Sequence, residues 1–216
     1  MRLIHLFAAA LLATVLSLGS ASVHAAGETP VQIIEQIAEK LAQTMETRRE
    51  ELTRDRAALN TVIDDVVLRN FDTDYAALLV LGRYAREATP EQRQRFTRAF
   101  YDSLVNRYGE ALLQYTRGSV QVLPFRGELN ERRTTVRTQV IVNDGTRIPV
   151  DYAFRKTKAG EWKAFDVVIE GISYVTNYRN QVVAEIQRSG IDAVITRLET
   201  QGLNAIDPDG DPLIKP

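Results

Sequence analysis

Val136-Arg137-Thr138-Gln139-Val140-Ile141-Val142-Asn143-Asp144-Gly145-Thr146-Arg147-Ile148-Pro149-Val150-Asp151-Tyr152-Ala153-Phe154-Arg155 is the stretch that decides the fold. In its first half Val136, Thr138, Val140 and Val142 alternate with Arg137, Gln139 and Ile141. In its second, Ile148, Val150, Tyr152 and Phe154 alternate with Arg147, Asp151 and Arg155. A period of two places each set on one face of a strand, and Asn143-Asp144-Gly145 supplies the hairpin turn between them. Lys158-Ala159-Gly160-Glu161 turns the chain again into a strand over residues 162–169, and residues 120–123 add another. The stretch therefore sits in an antiparallel meander of about four strands with one apolar face.

Upstream of residue 119 the period is helical. Thr29-Pro30 opens a helix with a capping hydroxyl and a proline, and Ile33, Ile34, Ile37, Leu41 and Met45 form one apolar stripe along it. The stripe weakens through Arg48, Arg49, Glu50 and Glu51 and resumes at Leu59, Val62, Ile63, Val66 and Val67. Asp72-Thr73 opens a second block, apolar around most of its circumference from Tyr75 to Gly82, as in a helix buried on several sides. Thr89-Pro90-Glu91-Gln92 matches a capping box, and Phe96, Phe100, Leu104, Tyr108 and Leu112 follow at every fourth residue. After the sheet, helical segments are expected over 172–188 and 191–199, broken by Ser189-Gly190, with a flexible tail over 204–216. Helices, then an antiparallel sheet, then helices is an α+β order, expected here as a single domain over 26–203.

The first 25 residues have a different character. Arg2 precedes an apolar run from Leu6 to Leu16, small residues follow, and Val23-His24-Ala25 fits a signal-peptidase site, so cleavage is expected near Ala25. Both histidines, His5 and His24, lie in this leader, and the chain of 216 residues has no cysteine. The expected mature domain therefore lacks the side chains from which common zinc sites and Ser-His-Asp or Cys-His nucleophiles are built. No phosphate-cradling glycine motif occurs. With 27 Lys+Arg against 28 Asp+Glu the charge is balanced, which argues against nucleic-acid binding. Asp207-Pro208-Asp209-Gly210-Asp211 has its glycine two places too early for a calcium loop, and no metal is expected.

Carboxylate chemistry is still open to such a chain. Asp151, Asp166 and Glu170 lie near the sheet, and an isomerase or hydrolase would need one of them buried beside a tyrosine such as Tyr152 or Tyr174. The basic clusters Arg48, Arg49, Arg54, Arg56 and Arg132, Arg133, Arg137 read as solvated faces or as docking sites for an acidic partner or anionic headgroup.

Residues 160–179, Gly-Glu-Trp-Lys-Ala-Phe-Asp-Val-Val-Ile-Glu-Gly-Ile-Ser-Tyr-Val-Thr-Asn-Tyr-Arg, carry a more specific signal. Together with Leu81-Gly82-Arg83-Tyr84, Thr89-Pro90-Glu91-Gln92-Arg93 and Phe96, they resemble the MlaC or toluene-tolerance family of periplasmic phospholipid-binding proteins. That resemblance implies helices wrapped around a twisted sheet in a nuclear-transport-factor-like cone with an internal lipid pocket. It implies a non-enzymatic carrier, without cofactor, whose cargo is a phospholipid. The implied partners are an inner-membrane ABC transporter with an MCE-domain subunit and an outer-membrane lipoprotein-porin complex, the implied role outer-membrane lipid asymmetry. Hopanoid, another isoprenoid or a solvent-related molecule is the alternative cargo.

Apolar positions expected to face such a cargo are Phe71, Tyr75, Leu79, Phe100, Leu104, Tyr108, Val140, Val150, Tyr152, Phe154, Val168 and Ile172. Of the resembling motif, Trp162, Asp166, Gly171, Ser173, Asn177 and Arg179 are expected to serve structure, with Gly171 permitting a sharp turn.

Overall fold

The computed structural model describes residues 27–124, 131–142 and 144–206. The expected leader, Asn143 of the hairpin turn and the acidic run from Asp207 lie outside them.

Helix α1 (Pro30–Arg54) starts as its sequence suggests: the Thr29 side chain accepts from the Gln32 backbone and Gln32 reciprocates. It ends at Asp55, whose extended backbone breaks the helix and whose side chain caps α2 (Arg56–Val62). A π-helical turn (Ile63–Val67) and a short 3-10 turn carry the chain to α3 (Thr73–Leu81), capped by Asp72. After the single turn α4 (Tyr84–Glu87), the Thr89–Gln92 capping box opens α5 (Pro90–Tyr108), and a 3-10 segment Gly109–Gln114 follows. The charged stretch within α1 and at the start of α2 is structural in part. Arg49 donates to the carbonyls of Leu113 and Tyr115, and Arg56 to those of Val105 and Asn106, so both tie α1 and α2 to the ends of α5 and its 3-10 extension.

The sheet has five antiparallel strands in sequence order: β1 (Val120–Val122), β2 (Arg133–Ile141), β3 (Arg147–Lys156), β4 (Trp162–Ile169) and β5 (Ile172–Ser173). Residues 172–173 are thus a short strand, and the helix expected from 172 begins two residues later as α6 (Tyr174–Ser189). The turn before it has Glu170 and Gly171 both at positive φ, 50° and 84°, as a two-residue hairpin of type I′ requires. Gly171 serves the turn expected of it.

Gly190 ends α6, and α7 (Ile191–Gln201) runs into a 3-10 turn Gly202–Ala205. Leu203 and Ile206 are buried there, which corrects the expected tail: order extends through 204–206 because these two apolar side chains dock on the helical core.

Three clusters of core result. One is helical, with Ala76, Ala77, Val80 and Leu81 of α3, Phe96 and Phe100 of α5, Tyr178 and Val182 of α6 and Val194, Ile195 and Leu198 of α7. Gly82, at φ 57°, lets α6 approach the end of α3; a Cβ there would lie 3.2 Å from Val183 Cγ2. Another joins Ile33 and Ile34 of α1 to Val136, Phe154 and Ala164 of the sheet, and shares Ile37 with the third, under α1 and α2.

Candidate lipid-binding face

Register settles which sheet residues share a wall. Val136 pairs with Tyr152 and Tyr152 with Val167; Thr138 pairs with Val150 and Val150 with Ile169; Val140 pairs with Val120 and Ile148. These residues face α1. The register shifts between Ala153 and Phe154, and the resulting bulge brings Ala164 opposite Phe154 on that same wall while Asp166 pairs with Ala153 on the reverse.

Helix α1 covers only part of the wall. Val136, Phe154 and Ala164 are closed off against Ile33 and Ile34. Val120, Val122, Val140, Ile148, Tyr152, Val167 and Ile169 are half-buried. Tyr152 is half-buried among them, and burial, with a smaller push from Tyr115, raises its phenol to about 12. Beside it, Tyr115, Val120 and Val122 line a groove of about 270 Å³ whose other bank is Glu35, Ala38, Glu39 and Ala42 of α1. Arg117 stands at its rim, bridging Glu39 and Glu46.

A larger groove, about 540 Å³, runs between α5 and α7. Arg95 pairs with Glu199 across it, and Arg98 and Asp102 line it together with Ala99 and Leu198. Among the described residues no cluster of three potential metal ligands occurs, and no helix is long and apolar enough to cross a membrane.

The structure divides the twelve expected cargo positions. Val140, Val150, Tyr152 and Phe154 lie on the wall, and Phe71 joins its edge through a bridge to Ala164. Phe100 is sealed in the helical core, with Leu79, Leu104 and Tyr108 packed around that core; the Tyr108 and Tyr178 hydroxyls are 2.8 Å apart. Tyr75 meets the reverse face, edge-on to Phe165 and under the Arg155 guanidinium, because α3 packs on that side. Val168 pairs with Asp151 and so also points to the reverse face. Ile172 pairs with Ile169 and so shares the face of the wall, at the β5 edge where it is 47% exposed. The bulge resets parity in β4, so Val168 does not share the face of Ala164. The wall residues that strand period and helix stripe left unconnected are Ile33, Ile34 and Ile37 of α1, Tyr115, and the strand residues Val120, Val122, Ile148, Val167 and Ile169.

The motif residues do local work. Asp166 accepts from Ser173 Oγ at 2.6 Å and from the Val175 backbone at 3.0 Å, while Ser173 caps α6. Both carboxylate oxygens are thus committed to holding the start of α6 on β4. Trp162 packs on the α1 side under Lys156, and the Arg179 stem lies against Gly82. Asn177 is half-buried on α6. In the basic cluster of β2, Arg133 donates to Tyr75 Oη at 2.7 Å, and Arg155 pairs with Asp72, the cap of α3.

A sheet backed by α1 on one side and a helical body on the other, joined by this motif, is matched by the family model described as MlaC protein over residues 35–200. The chain belongs to the MlaC family. Similar to it is the intermembrane phospholipid transport system binding protein MlaC of Haemophilus influenzae, 27% identical over 173 residues, 79% of this chain and 81% of that protein. So is toluene tolerance protein ttg2D of Pseudomonas putida, 30% identical over 168 residues, 77% of each chain. Among solved structures, a phospholipid-binding protein from Ralstonia solanacearum, in complex with a phospholipid, superimposes with a TM-score of 0.72 at 24% identity. The match covers 80% of this chain and 96% of that one, and it shows a shared fold.

Proposed function

We propose that the chain is a non-catalytic periplasmic phospholipid carrier, holding acyl chains against the half-covered wall of β1–β4 with the headgroup near the mouth beside α1. The observation that carries this reading is the wall itself: large apolar side chains of β1–β4 left half-buried beside the groove between α1 and β1. The phospholipid-transport relative and the phospholipid-bound structural neighbour support it.

Burial of each methylene contributes about 0.8 kcal/mol, so two long chains amount to on the order of 20 kcal/mol of apolar surface withheld from water. Spontaneous release is then slow, and unloading needs a partner that loosens the site and presents another apolar surface. On this reading, the chain exchanges cargo with an inner-membrane ABC transporter bearing an MCE-domain subunit and with an outer-membrane lipoprotein-porin complex. That exchange would maintain lipid asymmetry, after export behind a leader cleaved near Ala25.

Purification from the periplasmic fraction of a Gram-negative host, followed by solvent extraction and mass spectrometry, tests the cargo. Stoichiometric phospholipid is the expected result. Bound hopanoid, other isoprenoid or solvent-related material would replace the cargo, and an empty protein that takes no lipid from vesicles would refute the carrier.

A further inference from the structure

Five of the eight tyrosines have partners: Tyr75 accepts from Arg133, Tyr84 from Arg83, Tyr108 and Tyr178 bond each other, and Tyr174 is engaged as well. The hydroxyls of Tyr101, Tyr115 and Tyr152 make no hydrogen bond to any of the described residues. Buried phenols ordinarily find a partner, so an apolar setting without one is costly unless something enters from outside. Their oxygens are also not sealed in, unlike the unpartnered Asn60 Oδ1, Arg179 Nε and Gln181 Oε1.

Tyr101 packs on the helical core, among the fields of Asp72, Asp74 and Asp166. Tyr115 and Tyr152 form a different pair. Val122 links them, packed in one cluster with Tyr152 and lining the α1–β1 groove with Tyr115. Around them Val140, Val150, Val167 and Ile169 present only alkyl groups, so the two phenols are the hydrogen-bond donors nearest an acyl chain on this wall. In a diacyl glycerolipid the acceptors next to the acyl chains are the ester carbonyls.

Resting on the carrier reading, we propose that Tyr115 and Tyr152 donate hydrogen bonds to the ester carbonyls of the cargo and so select diacyl lipids over ether-linked or hydrocarbon molecules. A phenol is a good donor to an ester carbonyl, whereas a hydrocarbon offers it nothing and would leave both hydroxyls unsatisfied.

The test offers the purified protein vesicles of equimolar dioleoyl phosphatidylglycerol and its dioleyl diether analogue, then measures the bound ratio by mass spectrometry. Each hydroxyl is expected to favour the diester roughly threefold, so the wild-type protein enriches it about tenfold. Tyr115→Phe and Tyr152→Phe each remove about a factor of three, and the double variant takes both lipids equally. Equal uptake by the wild-type protein overturns the proposal, as does an unchanged ratio in the variants, including one accompanied by lower total uptake. Failure to take up either lipid sinks the carrier reading itself, and is distinguishable from uptake without preference.

Discussion

Neighbouring valines on β4 provide the sharpest test of the wall. Val167 pairs with Tyr152 and faces α1, whereas Val168 pairs with Asp151 on the reverse face. Val167→Glu places a carboxyl where acyl chains must lie. An unpaired carboxylate covered by hydrocarbon stays neutral, its pKa driven above 7 by burial, so the loaded state holds a proton that the empty state does not. Protonating a group of ordinary pKa about 4.3 at pH 7 costs about 3.7 kcal/mol, a loss of roughly 500-fold in lipid affinity. Since loading takes up a proton, affinity recovers as pH falls, and at pH 5 the loss shrinks to about fivefold. Val168→Glu stands opposite Asp151 with Arg137 on the far side, a surface arrangement costing roughly 0.5 kcal/mol of stability and nothing in loading. The assay is lipid uptake from vesicles at pH 7 and pH 5, with thermal melts to show that both variants fold. Loss of loading in Val168→Glu with retention in Val167→Glu, or equal loss in both, would refute the assignment of faces.

Three further outcomes follow from the local geometry. Glu170 holds φ 50° without being glycine, a conformation costing about 1 kcal/mol, so Glu170→Gly should raise the melting temperature by about 2–4 °C and Gly171→Ala should lower it. Asp166→Ala removes the acceptor of Ser173 Oγ and the Val175 backbone, and should cost about 2 kcal/mol in denaturant melts with lipid per folded chain unchanged. Full stability with lost loading would instead put Asp166 in the site. Burial raises the Tyr152 phenol to about 12, so its contribution to stability is complete below the ordinary value near 10 and lost as pH rises towards 12. Melts across that interval should fall more gently for Tyr152→Phe, and parallel slopes would place the phenol in water.

Much of the architecture was legible from local pattern. Alternation in residues 136–155 marked β2 and β3, Thr89-Pro90-Glu91-Gln92 marked the start of α5, and Asp72 and Thr29 were readable as caps. The site was legible only in half. Val140, Val150, Tyr152 and Phe154 share a strand face by period alone, but Tyr75 and Val168 looked equally apolar and stand elsewhere. Hydropathy reports that a side chain avoids water, without distinguishing a sealed core such as Phe100 from a wall with a hollow beside it.

By itself the sequence determined the secondary elements, their caps and turns, and the absence of cysteine, because each depends on residue identity or on neighbours a few positions apart. It also carried the motif over 160–179 that marks the family. Only the tertiary structure decided that α1 shields part of one sheet face, that the β4 bulge exchanges the sides of Val167 and Val168, and that Val122 joins the Tyr152 cluster to the groove lined by Tyr115. Those relations join residues far apart in the chain, and they arise from how much surface each packed layer covers, a quantity no local period contains.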